Sequence, residues 1–167
     1  KKMNNKNFDY NYVFHSTEKL SDKLKAMTKA NNLSNVDIIY DEKLKSNVLK
    51  KSIFAIVKSG TVSLEVCKNN IPSIIIYKMN YFNYLLAKSL LNIKFINMVN
   101  IINNKEIIPE LIQKECNSDE IYRTVNYFLK KPDLIRNQLF EIDKTLNEID
   151  RKSTRLNSSH QIISYAV

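Results

Sequence analysis

Glycine and proline are nearly missing from this chain: its 167 residues hold one glycine, Gly60, and three prolines. A sandwich of many short strands needs tight turns built on those residues, so their scarcity excludes an all-β fold of that kind. Cysteine is equally scarce. Cys67 and Cys116 lie far apart with no metal-ligand spacing around them, which excludes a disulfide framework or a zinc finger. Two reduced, mostly buried thiols of a cytosolic protein are expected instead. No apolar run is long enough to span a bilayer, and no signal peptide opens the sequence. Polar residues lead directly into the first strand, as at a cut end. The length suits one ordinary domain and is too short for a two-domain enzyme.

What is present is a hydrophobic fraction of 44%, enough for a sizeable core, and a formal net charge of +9. Lys, Asn and Ile are abundant, as under AT-rich drift. A glycine kept in that background is expected where a side chain would clash. The lysines are scattered among asparagines rather than gathered into a stripe, and no RNA-recognition or KH signature appears, so nucleic acid is not the expected partner. A basic surface attracting anionic lipid or a phosphorylated substrate fits the charge equally well.

Periodicity predicts alternating elements. Strands are expected at Tyr10–His15, Val36–Tyr40, Ile53–Val57, Ser73–Tyr77 and near Phe95–Met98. Helices are expected at Glu18–Ala30, where Leu20, Leu24 and Met27 share a face, at Glu42–Lys50, Val62–Lys68 and Tyr81–Leu91, and at Ser118–Leu129 and Pro132–Ile149. Ser16 or Thr17 can cap the first helix, and Asn31-Asn32 end it. Strand and helix in alternation, with short connections, define an α/β layered domain with a parallel sheet. Ligands of such sheets bind beyond the carboxyl ends of the strands, so the loops after Val57, Tyr77 and Met98 are the places to search.

Lys58-Ser59-Gly60-Thr61 is the turn of a strand–turn–helix unit and holds the only glycine. Glycine lets a ligand approach the backbone, and the helix that follows presents unpaired N–H groups and a positive dipole end, a natural phosphate seat. Ser59 and Thr61 can cap the helix or donate to phosphate oxygens. The turn lacks the glycine run and Lys-Thr/Ser ending of a Walker A loop. With Thr61 as N-cap, Glu65 falls one place beyond the capping-box position, so capping does not account for it. A carboxylate there can accept two ribose hydroxyls; the plainer alternative is an acid suited to a helix start. Asn100, after the expected strand at Phe95–Met98, can both donate and accept toward a sugar or base. In an Asn-rich chain a solvated loop is the plainer reading. Glu110 and Gln113 are expected to open a helix after Pro109 and to face one side, with a simple helix start as the alternative. His15 has no acidic or nucleophilic partner nearby in sequence and reads as structural. Tyr81, Phe82, Tyr84, Leu85 and Leu86 read as core, with an interfacial membrane surface as the alternative.

Taken in order, these segments resemble lipid-A-disaccharide synthase, glycosyltransferase family 19 with the GT-B fold, from about Tyr10 to Ile149. The family's Ser-Gly-Thr-x-x-Leu-Glu stands intact as Ser59–Glu65, its proline-led strand with Tyr-Arg or Tyr-Lys as Pro72–Lys78, and its Leu-Ala-Lys as Leu86–Lys88. Its Pro-Asn-Leu-Leu-Ala-Gly-Arg is matched by Val99–Lys105 and its Pro-Glu-Leu-Leu-Gln by Pro109–Gln113. A Ser-Gly-Thr turn alone is a weak signal; the ordered set is fairly specific.

The resemblance implies a Rossmann-like C-terminal half of a GT-B enzyme over residues 1–150. The full enzyme would join UDP-2,3-diacylglucosamine to 2,3-diacylglucosamine 1-phosphate, releasing UDP and forming a β-1,6 disaccharide with inversion and no bound metal or other cofactor. Ser59, Gly60, Thr61 and Glu65 would hold the UDP diphosphate and ribose, and Asn100, Glu110 and Gln113 would border the donor site. The enzyme would be cytoplasmic and peripheral to the inner membrane of a Gram-negative bacterium. Two departures stand out: Val99 replaces the family's proline, and Lys105 replaces its arginine, keeping the charge without the bidentate fork. The acceptor-binding N-terminal half, with its candidate catalytic base, is expected to be missing. The tail from Arg151 onward drops the Lys/Asn/Ile bias and resembles translated sequencing adaptor, so it is expected to lie outside the native domain. It carries Arg151, Lys152, Arg155 and no acid, so it supplies part of the positive charge. Two competing readings remain at this level: another UDP-sugar GT-B enzyme, such as the peptidoglycan glucosaminyltransferase, and a non-enzymatic basic α/β module binding RNA or anionic membrane.

Overall fold

A computed structural model describes residues 10–80 and 94–163, with the backbone alone over 153–163. The chain divides into two compact units, Lys1–Ser52 and Ile53–Val167.

In the first unit β1 (Tyr12–His15), α1 (Glu18–Ala30), β2 (Val36–Ile39) and α2 (Glu42–Lys51) follow in order. β1 and β2 pair in parallel, Tyr12 opposite Val36. Thr17 occupies the N-cap of α1 in an extended conformation without a side-chain bond, and Glu18 in the first turn suits the positive dipole end. Asn31 closes the helix and Asn32 turns left-handed at φ 50°, a conformation asparagine tolerates. Asp41 caps α2 by accepting from the N–H groups of Lys43 and Leu44, an arrangement that contributes about 1 kcal/mol. The Leu20/Met27 stripe exists, yet both residues are about half exposed, and no apolar side chain described in this unit is buried. His15, alone in sequence, has Glu42 at 3.5 Å.

The second unit runs β3 (Ala55–Lys58), α3 (Thr61–Lys68), β4 (Ser73–Tyr77), α4 (Met98–Asn103), β5 (Glu110–Ile112), α5 (Ser118–Leu129) and α6 (Pro132–Ile163). Its sheet has the order β3-β4-β5, parallel throughout, with Val57 opposite Ile75 and Ile75 opposite Glu110. Ser73–Ile75 of the central strand are buried, as residues covered on both faces should be. Ile75 joins Cys67, Val99, Ile107, Ile108 and Ile142 in one core, with Val57, Ile96 and Leu146 against it. Each fully buried isoleucine stabilises the fold by about 1.5–3 kcal/mol.

Two polar pins bind α6 to this core. Gln138 accepts from the Ser73 N–H and donates to the carbonyls of Ser73 and Ile107. Asn103 of α4 donates to the Thr145 hydroxyl at 2.8 Å. A buried amide satisfied on both sides fixes the helix register as well as its distance.

The parallel α/β architecture matches expectation, but three boundaries do not. No strand forms at Phe95–Met98, because the Ile96 and Asn97 N–H groups donate to the Glu110 carboxylate and Asn97 caps α4. No helix opens at Pro109–Gln113. The Pro109 carbonyl accepts from Ile75 N–H and Gln113 N–H donates to the Tyr77 carbonyl, so the segment becomes β5. α6 runs beyond Ile149 to Ile163, since no proline or glycine interrupts it and extending a formed helix costs little. The helix expected at Tyr81–Leu91 lies outside the described residues.

Burial pushes the Cys67 thiol up to about 11, whereas Cys116 is half-buried. A disulfide reagent at about pH 8 should therefore modify Cys116 in the native protein and reach Cys67 only after denaturant is added. Two fast-reacting thiols in the folded chain would contradict this packing.

Candidate functional site

β3 ends at Lys58, opposite Ile76, one residue before β4 ends at Tyr77, and the chain leaves β3 through Ser59 and Gly60 into α3. Gly60, rather than Thr61, is the N-cap. Its φ of 137° and ψ of −161° lie in a region open essentially to glycine alone. A Cβ placed there meets nothing within 4 Å. The glycine is thus required by its backbone angles and not by a clash with the rest of the protein, and the space in front of it is open. Thr61 becomes the first helical residue, exposed, and Glu65 the fifth, half-buried on the helix. That shift moves Glu65 further still from any capping position.

The turn is held from behind by a polar network. The Ser59 hydroxyl donates to the Ile96 carbonyl at 2.7 Å. The Ser63 hydroxyl donates to the Gly60 carbonyl at 2.6 Å and accepts from the Asn97 amide at 3.2 Å. Asn97 in turn caps α4 through the Val99 N–H. Beneath them the Glu110 carboxylate, 7% exposed, accepts from Ile96 N–H, Asn97 N–H and the Asn100 amide at 2.8, 2.8 and 2.9 Å. Asn100 is completely buried. Its amide also donates to the Ile108 carbonyl, and its oxygen accepts from the Ile107 and Ile108 N–H groups. Gln113, at φ 52°, clamps Met79 by accepting from its N–H and donating to its carbonyl.

The structure therefore brings Ser59, Gly60, Asn100 and Glu110 into one connected network. Thr61 and Glu65 stand on α3 beside it, and Gln113 holds the separate segment that follows β4. Ser63, Asn97 and the Ile96 carbonyl complete the network and were not singled out in the sequence. The available signal was spacing: Ser63 lies three residues after Gly60, and Asn97 three before Asn100. Lys105 pairs with Glu141 of α6 at 3.0 Å, and this ammonium holds the Glu141 carboxyl below its ordinary value. A separate open recess of about 510 Å³, lined by polar residues such as Lys114, Glu120 and Arg123, lies against α5 and includes none of the Ser59–Glu65 residues. Among the described residues no group of three or more His, Cys, Asp or Glu side chains converges as a metal would need, and no helix is long and apolar enough to cross a membrane.

A parallel sheet flanked by helices, with a glycine turn at the carboxyl end of β3, defines a Rossmann-like α/β domain, an architecture consistent with one half of a GT-B enzyme. The family model described as lipid-A-disaccharide synthetase matches residues 1–165. A lipid-A-disaccharide synthase of Rickettsia bellii (strain OSU 85-389) is 38% identical over 112 residues, covering 67% of this chain and 29% of that protein. Those of Sulfurihydrogenibium sp. (strain YO3AOP1) and Persephonella marina are 30% and 32% identical, covering 91% and 84% of this chain and 39% and 38% of theirs. The chain belongs to the lipid-A-disaccharide synthase family. It spans between about a quarter and two fifths of the length of the curated relatives it matches.

Proposed function

We propose that this chain is the nucleotide-sugar-binding part of a glycosyltransferase that transfers 2,3-diacylglucosamine from UDP to 2,3-diacylglucosamine 1-phosphate, forming the β-1,6 lipid A disaccharide. The observation that carries the reading is the Ser59-Gly60-Thr61 turn, open in front of Gly60, at the N-terminus of an eight-residue helix and at the carboxyl rim of the sheet. Such a terminus offers N–H groups and a positive dipole end to a diphosphate. In transfer with inversion it stabilises the charge developing on the leaving UDP, in the place a cation would take. Gly60 and Thr61 meet the phosphates and Glu65 accepts the ribose hydroxyls. Ser59, whose hydrogen is committed to Ile96, fixes the turn. Asn100 and Glu110, both buried, border the site by holding the loop behind it, and Gln113 holds the segment after β4. The acceptor and catalytic base belong to the N-terminal half of the full enzyme, which works at the cytoplasmic face of the inner membrane on lipid substrates and not on nucleic acid. The nucleotide-binding domain ends near residue 150, and residues 151–167 take no part in binding.

Calorimetric titration with UDP tests this. The full chain and a 1–150 truncation should bind UDP alike, and Glu65→Ala should weaken binding about tenfold by losing the ribose hydrogen bonds. A folded chain that ignores UDP, or a Glu65→Ala variant that binds it equally, overturns the proposed contacts.

A further inference from the structure

At the same rim stands a cation to which no role has yet been given. Lys58 is the last residue of β3, exposed, and two positions before Gly60. Its Nζ lies 5.2 Å from the centroid of the Tyr77 ring, and Tyr77 is the last residue of the neighbouring parallel strand β4. Lys58 lies opposite Ile76, so β4 runs one residue further, and the ammonium meets the ring of that last residue at the edge from which the glycine turn departs. A ring face attracts a cation electrostatically and limits the positions an otherwise mobile lysine visits. Among the described residues no carboxylate pairs with Lys58, whereas Lys45 and Lys105 are neutralised by Glu42 and Glu141. The field of Lys58 is therefore available to an incoming anion and adds to that of the α3 terminus.

We infer that Lys58, steadied by the Tyr77 ring, is a further binding residue for the diphosphate of the nucleotide and sets the preference for charged over uncharged nucleoside ligands. The inference rests on the UDP reading above and deepens it. A lysine suits this role as a point charge with three rotatable donors, able to follow a phosphate oxygen from one position to another. A neutral nucleoside has nothing for it to meet, so the contribution of Lys58 belongs to the phosphates alone.

The test uses the full chain with UDP and uridine as probes. Lys58→Met should weaken UDP about tenfold while leaving uridine unchanged, and Lys58→Arg should restore most of the loss. The salt dependence of UDP binding should be shallower in Lys58→Met than in the parent. Tyr77→Phe, which keeps the ring, should bind as the parent does, and Tyr77→Leu should fall between the parent and Lys58→Met. Unchanged thermal midpoints for the Lys58 variants would separate binding from folding. UDP affinity equal to the parent's in Lys58→Met, or parallel losses for UDP and uridine, overturns the role of Lys58 while the UDP reading stands. Failure of the parent chain itself to bind UDP overturns that reading and this inference with it.

Discussion

Replacing Glu110 by Ala should lower unfolding stability by about 3–6 kcal/mol, since three buried donors lose a charged acceptor at once and each costs about 1–3 kcal/mol when left unmet. The donors are the Ile96 and Asn97 N–H groups and the Asn100 amide. Three neighbouring losses share one cavity and are not strictly additive, which is why the range is broad. Urea denaturation followed by circular dichroism measures it. Glu110→Gln should be milder, because one carbonyl oxygen remains to accept while the new NH₂ faces a donor. The damage should also reach the turn. Ser59 hangs on the Ile96 carbonyl and Ser63 on Asn97, so UDP binding should weaken in any Glu110 variant that still folds. A loss under about 1 kcal/mol would mean that water replaces the carboxylate and that the network is not a structural unit.

Asn100→Asp should be comparably severe, about 3–5 kcal/mol near neutral pH, although it changes one atom. The atom replaced is the nitrogen that donates to the Ile108 carbonyl at 2.7 Å and to Glu110 at 2.9 Å. An oxygen there meets two acceptors and sets a second carboxylate against the first. Like charges at that distance favour uptake of a proton, so the folded variant binds a proton that its unfolded chain has released. Stability relative to the parent then falls as pH rises from the unfolded aspartate's value of about 4 toward neutrality. Denaturation midpoints of both proteins across that window give the sign directly. A deficit that shrinks toward high pH would exclude carboxylate repulsion as its cause.

Both variants probe residues that sequence reasoning singled out for the wrong local setting. Pro109-Glu110 reads as a helix start because proline favours that position. In the fold the same residues lie against β4, and a parallel strand's bonds to its neighbour outweigh a local preference. Phe95–Met98 reads as a strand because it is apolar and short. The segment instead gives its N–H groups to a carboxylate that is distant in sequence, which no window of local pattern can contain. In contrast α1 and α5 begin and end where their patterns place them, at Glu18–Ala30 and Ser118–Leu129, because caps and period are local. The α1 stripe shows the opposite limit. Its period was legible, while the half exposure of Leu20 and Met27 depends on what packs against it.

The Lys58–Tyr77 contact has the same origin. Each residue closes its own strand; the parallel pairing of β3 with β4, which sets Lys58 opposite Ile76, brings the ammonium to the ring one residue further on.

By itself the sequence determined the class, a parallel α/β domain, and the element that matters most, a lone glycine between an apolar strand and a helix. Both follow from short-range rules: the period of apolar residues, the turn residues, and the backbone angles that glycine alone adopts. Only the tertiary structure decided what holds that turn. Asn100 and Glu110 looked like groups able to face a ligand, and their polar atoms are turned inward onto Ile96, Asn97, Ile107 and Ile108. Burial explains the difference: in the core a polar side chain must be matched by whatever partners the fold brings to it, and those partners come from elements far apart in the chain.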